Sequence, residues 1–152
     1  MPRAPSTARR LAPALVLACL LATAAAAGDA ATVADLFGSD RWRLVSLTVD
    51  GETMRPEPGA DATFAVNETG QLAGTVGCNQ LVAGAGLTPS GGIDFEPITA
   101  TLMACPEPAM SLERAFVAAL EGVERYALGD GEVRLTGPGV EVVFASVSAG
   151  AG

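Results

Sequence analysis

The sequence predicts a β-rich α+β domain in which a small antiparallel sheet curls or closes on itself and is packed by one α-helix. Three observations carry this prediction. Roughly seven or eight short runs alternate apolar and polar residues at hairpin spacing. Turn signals stand between them, among them Asp50-Gly51, Asp130-Gly131 and Pro138-Gly139. One stretch alone, Ala109 to Gly122, repeats its apolar residues every three or four positions.

Residues 28–40 are small and polar around Val33, Leu36 and Phe37, and 28–37 read as a lead-in helical turn or an ordered arm. Arg41 to Val49, rich in Val, Leu, Thr and Trp, is the first strand. Strict alternation puts Trp42, Leu44, Ser46 and Thr48 on one face and Arg43, Val45, Leu47 and Val49 on the other, so both faces carry apolar groups. Asp50-Gly51 turns the chain. Glu52 to Gly59 reads as a loop, because Pro56 and Pro58 cannot donate to a sheet.

Ala62 to Asn67 alternates with Phe64 and Val66 inward, Asn67-Glu68-Thr69-Gly70 turns, and Leu72 to Val76 returns as a hairpin. Asn67-Glu68-Thr69 also matches the N-glycosylation triplet, but Asn and Gly are what the turn itself requires. Gln80 to Leu87 is a weak, Gly-rich strand, Pro89 to Gly92 a turn, and Ile93-Asp94-Phe95 a short strand.

The helix carries an apolar stripe of Leu112, Phe116, Ala119, Leu120 and Val123, with Ser111 or a neighbouring acidic residue capping its start and Gly122 suiting its end. Glu124 to Leu128, Glu132 to Thr136 and Val140 to Ala145 follow as strands, with Val133, Leu135, Val140, Val142 and Phe144 inward. The domain spans 38–146, and 147–152 are a tail. Simple repeats are absent.

Residues 1–27 show the three parts of a secretory signal peptide: Arg3, Arg9 and Arg10, then the apolar run Leu11 to Leu21, then Ala25 to Ala27. The run is short for a membrane span, which needs about 20 apolar residues. Val16-Leu17-Ala18-Cys19 resembles a bacterial lipobox, which would make Cys19 a lipidated N-terminus. The apolar stretch from Leu20 to Ala27 favours ordinary cleavage after Ala27 instead. The expected location is therefore the periplasm, or a lipid anchor to the envelope through Cys19. Removal leaves about 125 residues, one domain without a transmembrane helix.

The chain has a net charge of −8, no His, and all 17 of its acidic residues beyond residue 28; losing three arginines with the leader makes the remainder more acidic still. That balance provides no footprint for nucleic acid or anionic lipid, and a charged partner would be cationic. A monomer is expected. Two cysteines remain, Cys78 and Cys105, and in an exported protein they point to a disulfide. The closed loop would contribute about 3–4 kcal/mol in the chain-entropy model. The alternative is a pair of buried free thiols.

Little else carries chemistry. Without His, the common zinc ligand and the common general base are missing, and no metal or cofactor is expected. The Cys-x-x-Cys spacing and a phosphate-binding Gly loop are absent. Asp94 and Glu96 could form a carboxylate pair but read as solvated strand edges. Asn79 is a turn residue bonding nearby backbone, or a ligand contact. Trp42 and Tyr126 read as core anchors.

Taken in order, Trp42-x-Leu44, Gly77-Cys78-Asn79, Thr101-Leu102-Met103-Ala104-Cys105, Glu113-x-x-Phe116, Leu120, Val123, Tyr126 and Leu135 resemble the META domain, the family of HslJ-like heat-shock proteins. The resemblance implies a compact fold similar to a small lipocalin-like barrel with one helix. It also implies a bacterial envelope setting, often as a lipoprotein, with links to heat shock, antibiotic tolerance, motility or secretion. It supplies no catalytic residues; Cys78 and Cys105 carry over as a structural pair. Where the family usually has aromatic residues after the Asn, this chain has Leu81, Val82 and Ala85, which sets it against an aromatic-lined surface there.

Two functional classes follow. The first is an exported, non-enzymatic protein serving envelope stress or antibiotic tolerance by binding an envelope protein or a small apolar ligand. The second is a thiol-dependent or hydrolytic enzyme using Cys78 or a carboxylate pair.

Overall fold

The computed structural model describes residues 32–38 and 40–147. The expected signal peptide, Cys19 and most of the 147–152 tail lie outside the described residues. Two Asp-Gly pairs make the tight hairpins. Asp50 and Gly51 have φ of +49° and +86°, and Asp130 and Gly131 have +51° and +75°. Positive φ at both central positions gives the turn whose twist matches the flanking strands.

The first of these turns follows β1 (Arg41–Val49) and leads into β2 (Glu52–Met54), which pairs back through Leu47↔Met54, Thr48↔Thr53 and Val49↔Glu52. The loop expected over Glu52 to Gly59 therefore begins later. The prolines at 56 and 58 stop the strand but do not reach back into it. The expected two-faced β1 is also corrected. A bulge between Leu44 and Ser46 shifts its register against β10 (Val140–Val147). Val45 is left outward and exposed, while Leu44 and Leu47, 2% and 0% exposed, fall on one buried face. One extra residue resets the two-residue period.

The remaining strands are β3 (Thr63–Val66), β4 (Gln71–Thr75), β5 (Gln80–Leu87), β6 (Ile93–Phe95), β7 (Thr99–Ala100), β8 (Arg125–Gly129) and β9 (Glu132–Gly137). They form one antiparallel sheet in the order β6-β5-β4-β3-β1-β10-β9-β8, with β2 added to β1 and β7 to β5. Its ends nearly meet: Ile93 N donates to Glu124 O at 3.1 Å. A side chain at Gly92 would run into that same Glu124 carbonyl, so glycine permits the approach. In the β3–β4 turn, Asn67 Oδ1 accepts from Thr69 N, Thr69 Oγ1 and Gln71 N, as turn chemistry requires.

Helix α2 (Ala109–Glu121) fills the curled sheet. Leu112, Phe116, Ala119 and Leu120 are buried, and Phe116 stacks on Phe64 at 5.0 Å while Phe144 meets both rings edge-on. The helix begins after Pro108, and in its first turn Ser111 N donates to Glu107 Oε2 at 2.8 Å. Ser111, then Arg114, hold the Glu107 carboxyl below the ordinary carboxylate range. Within 28–37, read as a helical turn or an ordered arm, the structure has a short helix. In α1 (Val33–Phe37), Thr32 and Asp35 exchange capping bonds, and Val33 and Phe37 are buried. The Phe37 carbonyl accepts from Trp42 Nε1 at 3.1 Å, tying α1 to β1.

Gly92→Ala is expected to push β6 away from Glu124 and lower unfolding free energy by about 1–3 kcal/mol, the range for overpacking. Chemical denaturation measures this; unchanged stability would mean the seam does not contribute.

Candidate functional site

Leaving β4, the chain must turn sharply before it can enter β5. Thr75 Oγ1 accepts from Gly77 N at 3.0 Å, and Gly77 takes φ of +114°, a region L side chains rarely adopt. That turn drives Cys78 and Asn79 inward, to 7% and 3% exposure. The Asn79 reading as a local turn residue is corrected here, because its side chain reaches segments 22 to 34 residues away.

Asn79 uses its whole amide. Oδ1 accepts from Thr101 Oγ1 at 2.8 Å and from Met103 N at 2.7 Å. Nδ2 donates to Glu113 Oε1 at 2.7 Å and, more weakly, to Met103 O at 3.4 Å. The backbone N–H of Asn79 donates to Glu113 Oε2 at 2.8 Å. Both oxygens of a carboxylate only 7% exposed are thus taken by one residue, and no buried side-chain N or O among the described residues is left without a partner. A buried polar group is tolerated on these terms.

Beside this hub Cys78 and Cys105 are bonded, with Cα atoms 6.0 Å apart, and the Cys78 sulfur lies 3.6 Å from Met110 Sδ. Gly77, Cys78, Asn79, Thr101, Met103 and Cys105 therefore converge. Trp42 is buried against Phe37 near the N-terminal helix, and Tyr126 is a half-buried residue of β8, so neither belongs to the cluster. Asp94 of β6 and Glu96 just beyond it are exposed, their carboxylates lying near Gly86 and Gly84 of β5; Glu96 is held there by its backbone N–H, which donates to Gly84 O at 2.9 Å, and no hydrogen bond joins the two carboxylates. Among the described residues no three His, Cys, Asp or Glu side chains are grouped to hold a metal.

Glu113 is the member whose role sequence reasoning missed. The signal was there: it stands three residues before Phe116 and seven before Leu120, inside the apolar stripe, where a carboxylate needs a partner to be buried.

The cluster holds the strand-like stretch Thr101–Cys105 from one side and leaves the other open. Leu102 is 99% exposed and Met103 52%, although the Met103 backbone is fixed at both N and O by Asn79. A neighbouring apolar niche, lined by Met54, Ala60, Val76, Ala109 and Leu112, measures only ≈ 50 Å³. A larger open groove of ≈ 350 Å³ lies at the β6–β8 seam and is lined by polar and charged groups including Ser90, Asp94, Glu124 and Arg125.

Glu113→Leu continues the apolar stripe but strands the Asn79 donors, and is expected to destabilise by about 1–3 kcal/mol. Equal or greater stability in denaturant would contradict the hub. Replacing both Cys78 and Cys105 by Ser opens a loop of sequence separation 27 and is expected to cost about 2–5 kcal/mol. An unchanged melting temperature would remove the bridge's structural role.

Comparison with known proteins agrees with this architecture. The chain is similar in structure to a protein from Burkholderia xenovorans solved by NMR, at 22% identity and TM-score 0.63, covering 97% of this chain and 99% of that one. It is also similar to the crystal structure of a duf4847 family protein from Bacteroides vulgatus, at 14% identity and TM-score 0.53, covering 74% and 96%. A further NMR structure, at 19% identity and TM-score 0.55, covers 76% of this chain and 95% of its own. No curated protein matches the sequence. The META domain family model matches residues 34–149, most of the chain, and the protein belongs to that family.

Proposed function

We propose that this protein is an exported, non-enzymatic META-domain protein of the bacterial envelope that serves stress or antibiotic tolerance by binding a protein partner through Thr101–Cys105. The observation that carries the reading is Leu102, a large apolar side chain 99% exposed on a backbone that a buried hub and a disulfide hold in place. A single exposed apolar side chain is ordinary, but Leu102 adjoins Met103, itself 52% exposed, and neighbouring exposed apolar side chains on a fixed segment are what a protein contact uses.

The small-ligand branch has less support. The centre of the curled sheet is filled by Phe64, Phe116, Phe144, Leu44 and Leu47, each 2% exposed or less, and the apolar niche is far below the roughly 300 Å³ of a ligand pocket. A thiol-dependent reaction at Cys78 would first require reduction of its bond to Cys105. Export rests on the leader pattern of residues 1–27, with Cys19 as the alternative lipid anchor.

A photo-cross-linking amino acid at Ala104, in cells producing the full chain, is expected to give a discrete adduct that disappears in Leu102→Asp. An adduct pattern indifferent to Leu102→Asp, or no adduct, would overturn the reading.

A further inference from the structure

The segment that displays Leu102 is also a sheet edge. β7 pairs only with β5, through Leu81↔Ala100 and Val82↔Thr99, off the main strand path. Beyond it Thr101 N donates to Gln80 O at 3.1 Å and Met103 N to Asn79 Oδ1 at 2.7 Å. Successive residues of an extended chain direct their backbone groups to opposite edges. With Thr101 and Met103 facing inward, Ala100 and Leu102 present their N–H and C=O outward. No backbone bond outside the strand ladders reaches either residue among the described residues.

Sheets ordinarily blunt such an edge with charge, proline or a bulge. Here residues 97–106 carry no charged side chain, and the two prolines stand only at the ends, Pro97 and Pro106. The adjoining stretch that forms β4 and β5, residues 69–93, is also free of charge in a chain with 17 acidic residues. Thr99, Ala100, Thr101 and Leu102 are all exposed.

We propose that the outer edge of β7 at Ala100, together with its continuation to Leu102, is a strand-addition site for an extended polypeptide segment with uncharged, apolar side chains. This rests on the partner-binding reading and specifies how the partner is held: backbone pairing gives the affinity and the Leu102 side chain the register. Two other occupants fit less well. A second copy would bring two chains of net charge −8 together over a short edge, against self-repulsion and without the roughly 800 Å² per partner that a stable interface buries. A lipid surface would leave the outward N–H and C=O of Ala100 and Leu102 without partners.

The test uses the ¹⁵N-labelled protein and a heptapeptide of alternating Val and Thr, acetylated and amidated. Its control is the same peptide N-methylated at three consecutive central residues, which blocks both of its edges. The unmethylated peptide is expected to shift the Ala100 and Leu102 amides and slow their hydrogen exchange, with the methylated one at least about tenfold weaker. Ala100→Pro removes one outward donor while leaving the β5 pairing, and is expected to abolish binding without loss of the dispersed spectrum.

Equal binding of the two peptides, binding of neither, or unchanged binding to Ala100→Pro overturns strand addition. So does a free chain that sediments as a dimer with these amides already protected, or amide shifts caused by phosphatidylcholine vesicles. Should the Ala104 cross-link persist while the peptides fail, a partner docks by other means; loss of the cross-link removes the underlying reading as well.

Discussion

One asparagine side chain joins three parts of this chain. Asn79, at the entry to β5, fixes Thr101 and Met103 through its carbonyl oxygen and Glu113 of α2 through its nitrogens. An amide has two acceptor sites and two donors, and here all four point at protein. Among the described residues no cation pairs with the buried Glu113 carboxylate, and its compensation there is the pair of N–H donors from Asn79. Either residue alone would be a liability in the core. Together they fix the distance between the sheet and the start of the helix.

That distance matters because the helix, not a cavity, occupies the inside of the curled sheet. Phe64 of β3, Phe116 of α2 and Phe144 of β10 meet at the centre, and Leu44 and Leu47 complete the packing once the bulge at Val45 brings them to one face. With the interior committed to packing, recognition moves to the rim. There the disulfide and the hub hold Thr101–Cys105 as an exposed, uncharged edge rather than as a loose connection. The two constraints differ in kind: the bridge limits the unfolded chain, whereas the hub determines which way Leu102 points.

Much of the architecture was legible in the sequence because it is written in short-range chemistry. Gln80–Leu87, Ile93–Phe95 and the start of α2 at Ala109 fall where alternation and helical spacing put them, and both Asp-Gly pairs make the turns their residue types require. The misses share a cause. The bulge at Val45 has no local signature, since its reason is the demand of the core for Leu47 as well as Leu44. β2 was hidden by the prolines that follow it, and the two-residue β7 is too short to show a period. Asn79 looked like a turn residue because its partners lie more than twenty positions away, and the role of Glu113 was missed because Asn79, which it accepts from, lies 34 positions away.

Backbone order at Leu102 measures directly whether the hub, rather than the disulfide alone, presents this edge. ¹⁵N relaxation of Thr101–Ala104 in the wild type should give order parameters close to those of the strands, about 0.85. In Asn79→Ala with the Cys78–Cys105 bridge intact, Leu102 should fall below about 0.6. A Leu102 already mobile in the wild type, or equally ordered without Asn79, would contradict the role assigned to the hub.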